Sequence, residues 1–168
     1  MKLVLGIDPG SVVTGYGLVS EVRGELQCLA YGVFSCNPRQ SFAHRLLTIG
    51  QGLKEVLEKY RPHAVAVEKT FHAKNVDSVT KLSHARGVCL YEIARAQLPV
   101  FEYLPTEVKG SVVGNGRADK EQVQFVVRGL LGLSALEKFD MSDALAVAIH
   151  HVRLASTGEK IRAREIIT

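Results

Sequence analysis

The sequence predicts an α/β domain with a mixed five-stranded sheet and helices on both of its faces. Three strand-like runs open the chain, and the second and third meet at Arg23-Gly24, a short turn that predicts an antiparallel hairpin. Helical and strand-like segments then alternate, which is typical of parallel strands joined by helices. We therefore expect three antiparallel strands followed by parallel ones.

The five strands are predicted from short apolar or β-branched runs bounded by turn residues. The first strand ends at Pro9-Gly10, and the fourth ends on a charged residue, Glu68. The predicted strands cover residues 2–8, 13–22, 25–35, 63–68 and 99–104.

The helices are predicted from apolar residues at helical spacing. Ser41 is the expected N-cap of the first helix, and Asp119 with Gln122 resembles a capping box at the start of the fourth. The inner side of the second helix is predicted to carry Val79, Leu82, Cys89, Ile93 and Ala96. The predicted helices cover residues 42–60, about 77–97, a short segment at 106–113, a segment from 119, and about 142–155.

The composition is that of one soluble globular domain: 168 residues, 46% of them hydrophobic and 23% charged. We expect a single domain over residues 1–155 and a loose tail over 156–168. The three cysteines form no CxxC motif, so we expect neither disulfides nor a zinc site, and a reducing, cytoplasmic location. No apolar run reaches the roughly 18 residues of a membrane span, so we expect no membrane association.

Charge gives weak evidence for a nucleic-acid partner. The 21 Lys and Arg residues outnumber the 17 Asp and Glu residues, for a formal charge of +4 and a pI of about 9.0. That excess doubles over the remaining surface if four carboxylates are committed to a metal site. A polyanion would then be attracted despite an acidic centre.

Four carboxylates stand at positions where apolar elements begin or end. Asp8 and Glu68 end apolar strands, while Asp140 and Asp143 start the apolar segment MSDALAVAI and share one helical face. If the first and fourth strands are neighbours, all four converge. Such a cluster would repel itself unless it held divalent cations, and carboxylates without His or Cys suit Mg²⁺ or Mn²⁺. Two such ions can support phosphodiester hydrolysis.

Other interpretations of these residues stay open. Taken one by one, Asp8 fits an ordinary turn, Glu68 an ion pair, and Asp140 with Asp143 a helix cap. The segment GIDPGS at 6–11 also resembles the phosphate-binding loop of actin-like ATPases and sugar kinases. Those proteins enclose a nucleotide between two such lobes, whereas this chain has room for one.

Four motifs, in order, closely resemble the RuvC family of bacterial Holliday junction resolvases. They are GIDPGSVVTGYG (6–17), VAVEKTFHAKNVDSVTKLSHARGV (65–88), PVFEYLPTEVKGSVVGNGRADKEQVQ (99–124) and DMSDALAVAIHH (140–151). The resemblance implies an RNase H-like fold, a homodimer that works with the branch-migration proteins RuvA and RuvB, and symmetric nicking of four-way junction DNA. It also implies two Mg²⁺ ions per active site, with Mn²⁺ as a substitute, on the catalytic carboxylates Asp8, Glu68, Asp140 and Asp143.

The same resemblance assigns three DNA-binding residues. Phe71 takes the position of an aromatic that meets unpaired bases at the crossover, and Lys109 and Lys120 match lysines near the scissile phosphate. Without the resemblance, Phe71 would be a packing residue and the lysines solvated helix residues.

A basic set around the second helix is open to two interpretations, DNA tracking or a solvated face; its members are Lys69, Lys74, Lys81, Arg86 and Arg95. Among the histidines, His72 is a possible DNA contact. His150 falls near the face of Asp143, but packing is the safer interpretation for it and for His151. His44, His63 and His84 carry no signal.

Overall fold

The structure, a computed structural model, describes residues 2–69 and 75–156. The chain forms five strands and five helices in this part. In order they are β1 (Val4–Asp8), β2 (Val13–Val22), β3 (Glu25–Ser35), α1 (Phe42–Tyr60), β4 (Ala64–Glu68), α2 (Val76–Arg95), β5 (Val100–Tyr103), α3 (Pro105–Val113), α4 (Lys120–Leu131) and α5 (Phe139–Ser156).

The strands form one sheet in the order β3-β2-β1-β4-β5. The pairs β1–β2 and β2–β3 are antiparallel, whereas β1–β4 and β4–β5 are parallel. The predicted mixed sheet is therefore confirmed, including the adjacency of the first and fourth strands on which convergence of the carboxylates depends.

Apolar side chains alternate between the two faces of the sheet and build a core on each. One core packs beneath α1 and α2, and the other beneath α3, α4 and α5. Within the described residues, no helix combines the length and apolar character that crossing a membrane would require.

The predicted caps agree with the structure. The Ser41 side chain accepts a hydrogen bond from the His44 amide, and Asp119 and Gln122 form a reciprocal capping box. The burial predicted for α2 is partly wrong, because Val79 and Ala96 are exposed. Cys89 and Ile93 are buried as predicted.

Helix α5 begins at Phe139, three residues before the predicted start, and its first turn already contains Asp140. At its other end Ser156 is still helical, and its hydroxyl donates to a Glu21 carboxylate oxygen at 2.5 Å. The rest of the predicted tail, residues 157–168, lies outside the described residues.

Two glycines let α5 lie directly on the sheet. A Cβ on Gly6 would collide with the backbone oxygen of Ala144, and a Cβ on Gly15 would collide with that of Asp140. Gly15 is also the pairing partner of Asp8 across β1 and β2. The missing side chain at Gly15 thus allows the start of α5 to lie beside the end of β1.

Candidate active site

The carboxyl ends of β1 and β4 place two carboxylates side by side. These strands are parallel neighbours with Ile7 opposite Val67, and each ends at the next residue, Asp8 or Glu68. The ends of neighbouring parallel strands are where open α/β sheets usually bind ligands. Helix α5 brings Asp140 and Asp143 to the same edge.

A cleft of about 160 Å³ opens at this edge. Asp8, Glu68 and Asp143 line it together with two basic residues, Lys109 of α3 and Lys120 of α4. Its apolar walls are Pro105, Val108, Val123 and Ala146. Asp140 does not line the cleft, but its charge contributes to raising the pKa of Asp8.

Burial and mutual repulsion disfavour ionisation of the clustered carboxyl groups. Burial, with added repulsion from Glu68, Asp143 and Asp140, raises the pKa of Asp8 well above its ordinary value. Burial and the charge of Asp143 raise the pKa of Glu68 to about 7. The pKa of Asp143 is also raised, because burial outweighs the attraction of Lys120 and Lys109.

The two lysines partly compensate this negative charge. The Lys120 ammonium lies 3.4 Å from Oδ2 of Asp143, and the carboxylates raise its pKa although burial opposes them. Lys109 instead donates a hydrogen bond of 2.7 Å to the backbone oxygen of Ala118, so it ties α3 to the chain just before α4. A positive charge added to this cleft would relieve the remaining repulsion.

The donor chemistry of the cleft fits a hard divalent cation. Among the described residues that line the cleft, the atoms able to bind a metal ion are carboxylate oxygens, and none of these residues is His or Cys. Within residues 2–69 and 75–156, no three acidic, His or Cys side chains are close enough to form a ready-made ligand set. Mg²⁺ suits such a site, because it usually takes one or two carboxylates and keeps several waters.

The predicted DNA-binding residues divide between described and undescribed parts of the chain. Lys109 and Lys120 both lie in the cleft with the carboxylates. Phe71, His72 and Lys74 lie outside the described residues.

The four described members of the basic set all form ion pairs. Lys81 pairs with Asp77 and Arg95 with Glu92, each within α2. Lys69 and Arg86 share one carboxylate, that of Glu102 on β5. Three carboxylates therefore balance most of the charge of these four basic residues locally.

The described histidines lie outside the cleft lining. His150 and His151 are buried and pack against Tyr103, which confirms the packing interpretation. Nδ1 of His151 lies 2.6 Å from the Tyr103 hydroxyl, and burial, with His150 second, lowers the pKa of His151 to about 4. Nothing in the sequence pattern indicated this buried pair, because its partners are 48 residues apart.

Comparison with known proteins gives a consistent result. The family model of crossover junction endodeoxyribonuclease RuvC matches residues 4–151. A relative of that name from Geobacter sulfurreducens is 45% identical over 160 residues, which cover 95% of this chain and 98% of the relative. Another, from Syntrophotalea carbinolica, is 49% identical over 148 residues, which cover 88% of this chain and 92% of the relative.

Solved structures agree. Thermus thermophilus RuvC in complex with a Holliday junction substrate aligns with a TM-score of 0.89 at 33% identity, over 99% of this chain and 100% of that one. The yeast mitochondrial Holliday junction resolvase aligns with a TM-score of 0.67 at 17% identity, over 91% of this chain and 78% of that one. The second likeness concerns the fold alone.

Proposed function

The chain belongs to the RuvC family of crossover junction endodeoxyribonucleases, and from that we propose that it resolves Holliday junctions. It would nick four-way DNA junctions symmetrically by hydrolysing phosphodiester bonds during recombination and DNA repair. The observation that carries the chemistry is one cleft in which Asp8, Glu68 and Asp143 face Lys109 and Lys120.

We assign two divalent cations to the carboxylates of this site, Mg²⁺ in the first place and Mn²⁺ as a substitute. Asp8, Glu68, Asp140 and Asp143 would hold them. This is supported by the pKa values of Asp8, Glu68 and Asp143, which burial raises first and the charge of neighbouring carboxylates raises further. When bound, the ions supply positive charge that activates an attacking water and stabilises the leaving oxygen.

The lysines act on the phosphate. Lys120 lies beside Asp143, so its ammonium can neutralise charge that develops on phosphate oxygens during the reaction. Lys109 fixes the chain before α4 through Ala118 and presents its charge to the same cleft. In hydrolysis a water oxygen bonds to phosphorus, the bond to one sugar oxygen breaks, and that oxygen takes up a proton.

Phe71 is proposed to stack on an unpaired base at the crossover. Phe71 follows Glu68, the last residue of β4, by three positions in the sequence. Base stacking on an aromatic contributes about 1–3 kcal/mol and tolerates any sequence. This assignment comes from the family resemblance.

We propose a homodimer with α2 at its centre. Two symmetric nicks need two sites related by a two-fold axis, because one site cuts one strand. The outer surface of α1 and α2 supports this, since four exposed large apolar side chains lie there: Leu47, Val76, Val79 and Tyr91. A groove of about 570 Å³ with mainly apolar walls, among them Leu46, Val79, Val88 and Tyr91, runs between the two helices.

The cellular setting is also a proposal. All three cysteines are free thiols, which supports the reducing environment of the cytoplasm. Work alongside RuvA and RuvB is expected from the family.

Cleavage of a synthetic four-way junction tests the proposed function directly. With Mg²⁺ we expect paired nicks at symmetry-related positions, and with EDTA we expect binding without cleavage. Cleavage of other nucleic-acid substrates in preference to the junction would indicate an RNase H-like nuclease of different specificity. If the protein binds the junction but does not cleave it with any of the divalent cations tested, it is a catalytically inactive junction-binding module.

A further inference from the structure

Strand β5 is a short edge strand next to the proposed metal-binding carboxylate Glu68. It has four residues, forms the edge of the sheet, and pairs only with β4 among the described strands. Its last residue, Tyr103, lies opposite Glu68, and the backbone oxygen of Tyr103 accepts a hydrogen bond of 2.8 Å from the Lys69 amide. The backbone position of Glu68 therefore depends on where the end of β5 is held.

On one face of the sheet, the end of β5 is anchored to α5. The Tyr103 side chain is fully buried, and its hydroxyl shares a hydrogen bond of 2.6 Å with Nδ1 of His151. Helix α5 is in turn seated closely on β1 and β2 at Gly6 and Gly15. It is also the helix whose first turns carry Asp140 and Asp143.

On the opposite face, the end of β5 is anchored to α2 and to the exit of β4. The Glu102 side chain is 12% exposed and pairs with the Arg86 guanidinium of α2. The Lys69 ammonium lies 3.8 Å from the other oxygen of the same carboxylate. Because Lys69 directly follows Glu68, this second contact attaches the chain immediately after the catalytic carboxylate.

We propose that Tyr103 and Glu102 are positioning residues that clamp the end of β5 from its two faces and thereby set the place of Glu68 relative to Asp143. This inference rests on the proposed function, since it concerns how a metal-holding carboxylate is placed. Neither residue lines the cleft. Each acts through Glu68.

The clamp matters because residues that support metal ligands contribute strongly to metal affinity and activity. Loss of such a supporting contact typically lowers metal affinity or activity by about 10- to 100-fold. Tyr103→Phe removes one hydroxyl, and Glu102→Gln keeps the shape of the side chain while removing its charge. The two variants release β5 from opposite faces.

The test uses the full chain and separates chemistry, metal binding and DNA binding. For each variant we would measure single-turnover junction cleavage at saturating protein, the Mn²⁺ affinity of the protein without DNA by electron paramagnetic resonance, and junction affinity in EDTA. We expect cleavage to slow and Mn²⁺ affinity to weaken by about tenfold each, with unchanged junction affinity. Amide hydrogen exchange of Lys69 should become faster, because its acceptor is the Tyr103 backbone oxygen.

Two control variants separate the clamp from general destabilisation. Ile49→Val trims a fully buried side chain of α1, and Lys54→Gln breaks an exposed ion pair with Glu58 on the same helix. Neither should change Mn²⁺ affinity or the cleavage rate. Ile49→Val and Tyr103→Phe are compared at an equal loss of melting temperature. If both then weaken Mn²⁺ binding to the same extent, general destabilisation explains the loss and the proposed clamp is wrong.

The remaining outcomes also distinguish the proposed clamp from its alternatives. Wild-type rates and Mn²⁺ affinities in both Tyr103→Phe and Glu102→Gln would overturn the clamp while leaving the proposed function intact. Loss of junction affinity alone would make them DNA-binding residues and equally overturn it. A wild-type protein that neither binds Mn²⁺ nor cleaves junctions would instead contradict the proposed function itself. Should one variant fail to fold, the other still tests the clamp from the opposite face.

Discussion

Lys120 at the start of α4 and Asp143 at the start of α5 form an ion pair across the cleft, with 3.4 Å between Nζ and Oδ2. The pair joins a proposed phosphate-binding cation to a proposed metal ligand. Lys120 also lowers the energy of ionised Asp8 and Glu68, because its charge opposes the rise of their pKa values. The same ammonium group thus stabilises ionised carboxylates in the free protein and, in the proposed reaction, negative charge on the phosphate.

Lys120→Ala should slow cleavage more than it weakens junction binding. The ammonium is expected to act on charge that develops in the transition state, and the loss of such a contact lowers the rate at saturation. Single-turnover cleavage at saturating protein, compared with junction affinity in EDTA, measures the two effects separately. Lys109→Ala is expected to have the same effect. A loss of affinity at an unchanged rate would make either lysine an ordinary phosphate contact.

Glu68→Gln should abolish cleavage, leave junction binding, and stabilise the metal-free protein at pH 8. The folded-state pKa of Glu68 is about 7 against an ordinary 4.5, so its ionised form is penalised in the fold. The penalty is full above pH 7 and is relieved as pH falls through the folded pKa and the group protonates. The amide removes it, for a gain of about 1–3 kcal/mol.

Denaturant unfolding with EDTA at pH 8 and pH 5 measures this gain. The stabilisation should be larger at pH 8 and shrink towards pH 5. Asp8→Asn should behave in the same direction, because burial and Glu68 raise the pKa of Asp8. A Glu68→Gln protein that is less stable than wild type at pH 8 would show that the carboxylate is well accommodated without metal, contrary to this account.

The sequence predicted the parts of the site that depend on strand ends and periodicity. The sequence indicates Asp8 and Glu68 because a charge ends each apolar strand, but it leaves their adjacency conditional, and the β1–β4 pairing of the structure meets that condition. Asp140 and Asp143 followed from spacing on one helical face. These features are local in the chain, so pattern alone reveals them.

The parts that sequence could not provide depend on contacts between distant residues. Glu102 lies in the fifth predicted strand and carries no further signal in the sequence, yet it pairs with Arg86 and Lys69, two members of the basic set for which DNA tracking and a solvated face are both open. Val79 was predicted to be buried because helical periodicity marks an apolar stripe without saying what covers it. The stripe on α2 is wider than the face that packs on the sheet.

Phe71→Ala should impair cleavage of an intact four-way junction far more than cleavage of a junction with unpaired bases at its centre. Unstacking bases costs about a few kcal/mol per step, and an aromatic platform offsets part of that cost only where unstacking is needed. Cleavage rates on the two substrates give the comparison. Equal impairment on both would make Phe71 a packing residue or a general DNA contact.

His151→Gln should reduce the loss of stability on acidification. Burial holds the pKa of His151 at about 4 in the fold, against 6.5 for an ordinary histidine. Between these values the unfolded chain binds a proton that the folded chain does not, so stability falls as pH decreases from 6.5 to 4. The effect amounts to at most about 3 kcal/mol. Unfolding free energies of both proteins at pH 7 and pH 4.5 measure it, and an unchanged pH dependence would contradict the assignment.

Gly15→Ala should impair the active site although it substitutes none of the four carboxylates. A Cβ at this position would run into the backbone oxygen of Asp140, so the start of α5 must move away from β2. Overpacking of this kind costs about 1–3 kcal/mol of stability. The same movement carries Asp140 and Asp143 away from Asp8, the strand partner of Gly15, so cleavage should fall by much more than the stability change explains.

Gly129→Ala, with open space around its added methyl, is the matched control and should keep both wild-type stability and wild-type cleavage. If Gly15→Ala melts at a lower temperature yet cleaves junctions at the wild-type rate below that temperature, then close seating of α5 on β2 is a requirement of the fold and not of the active site.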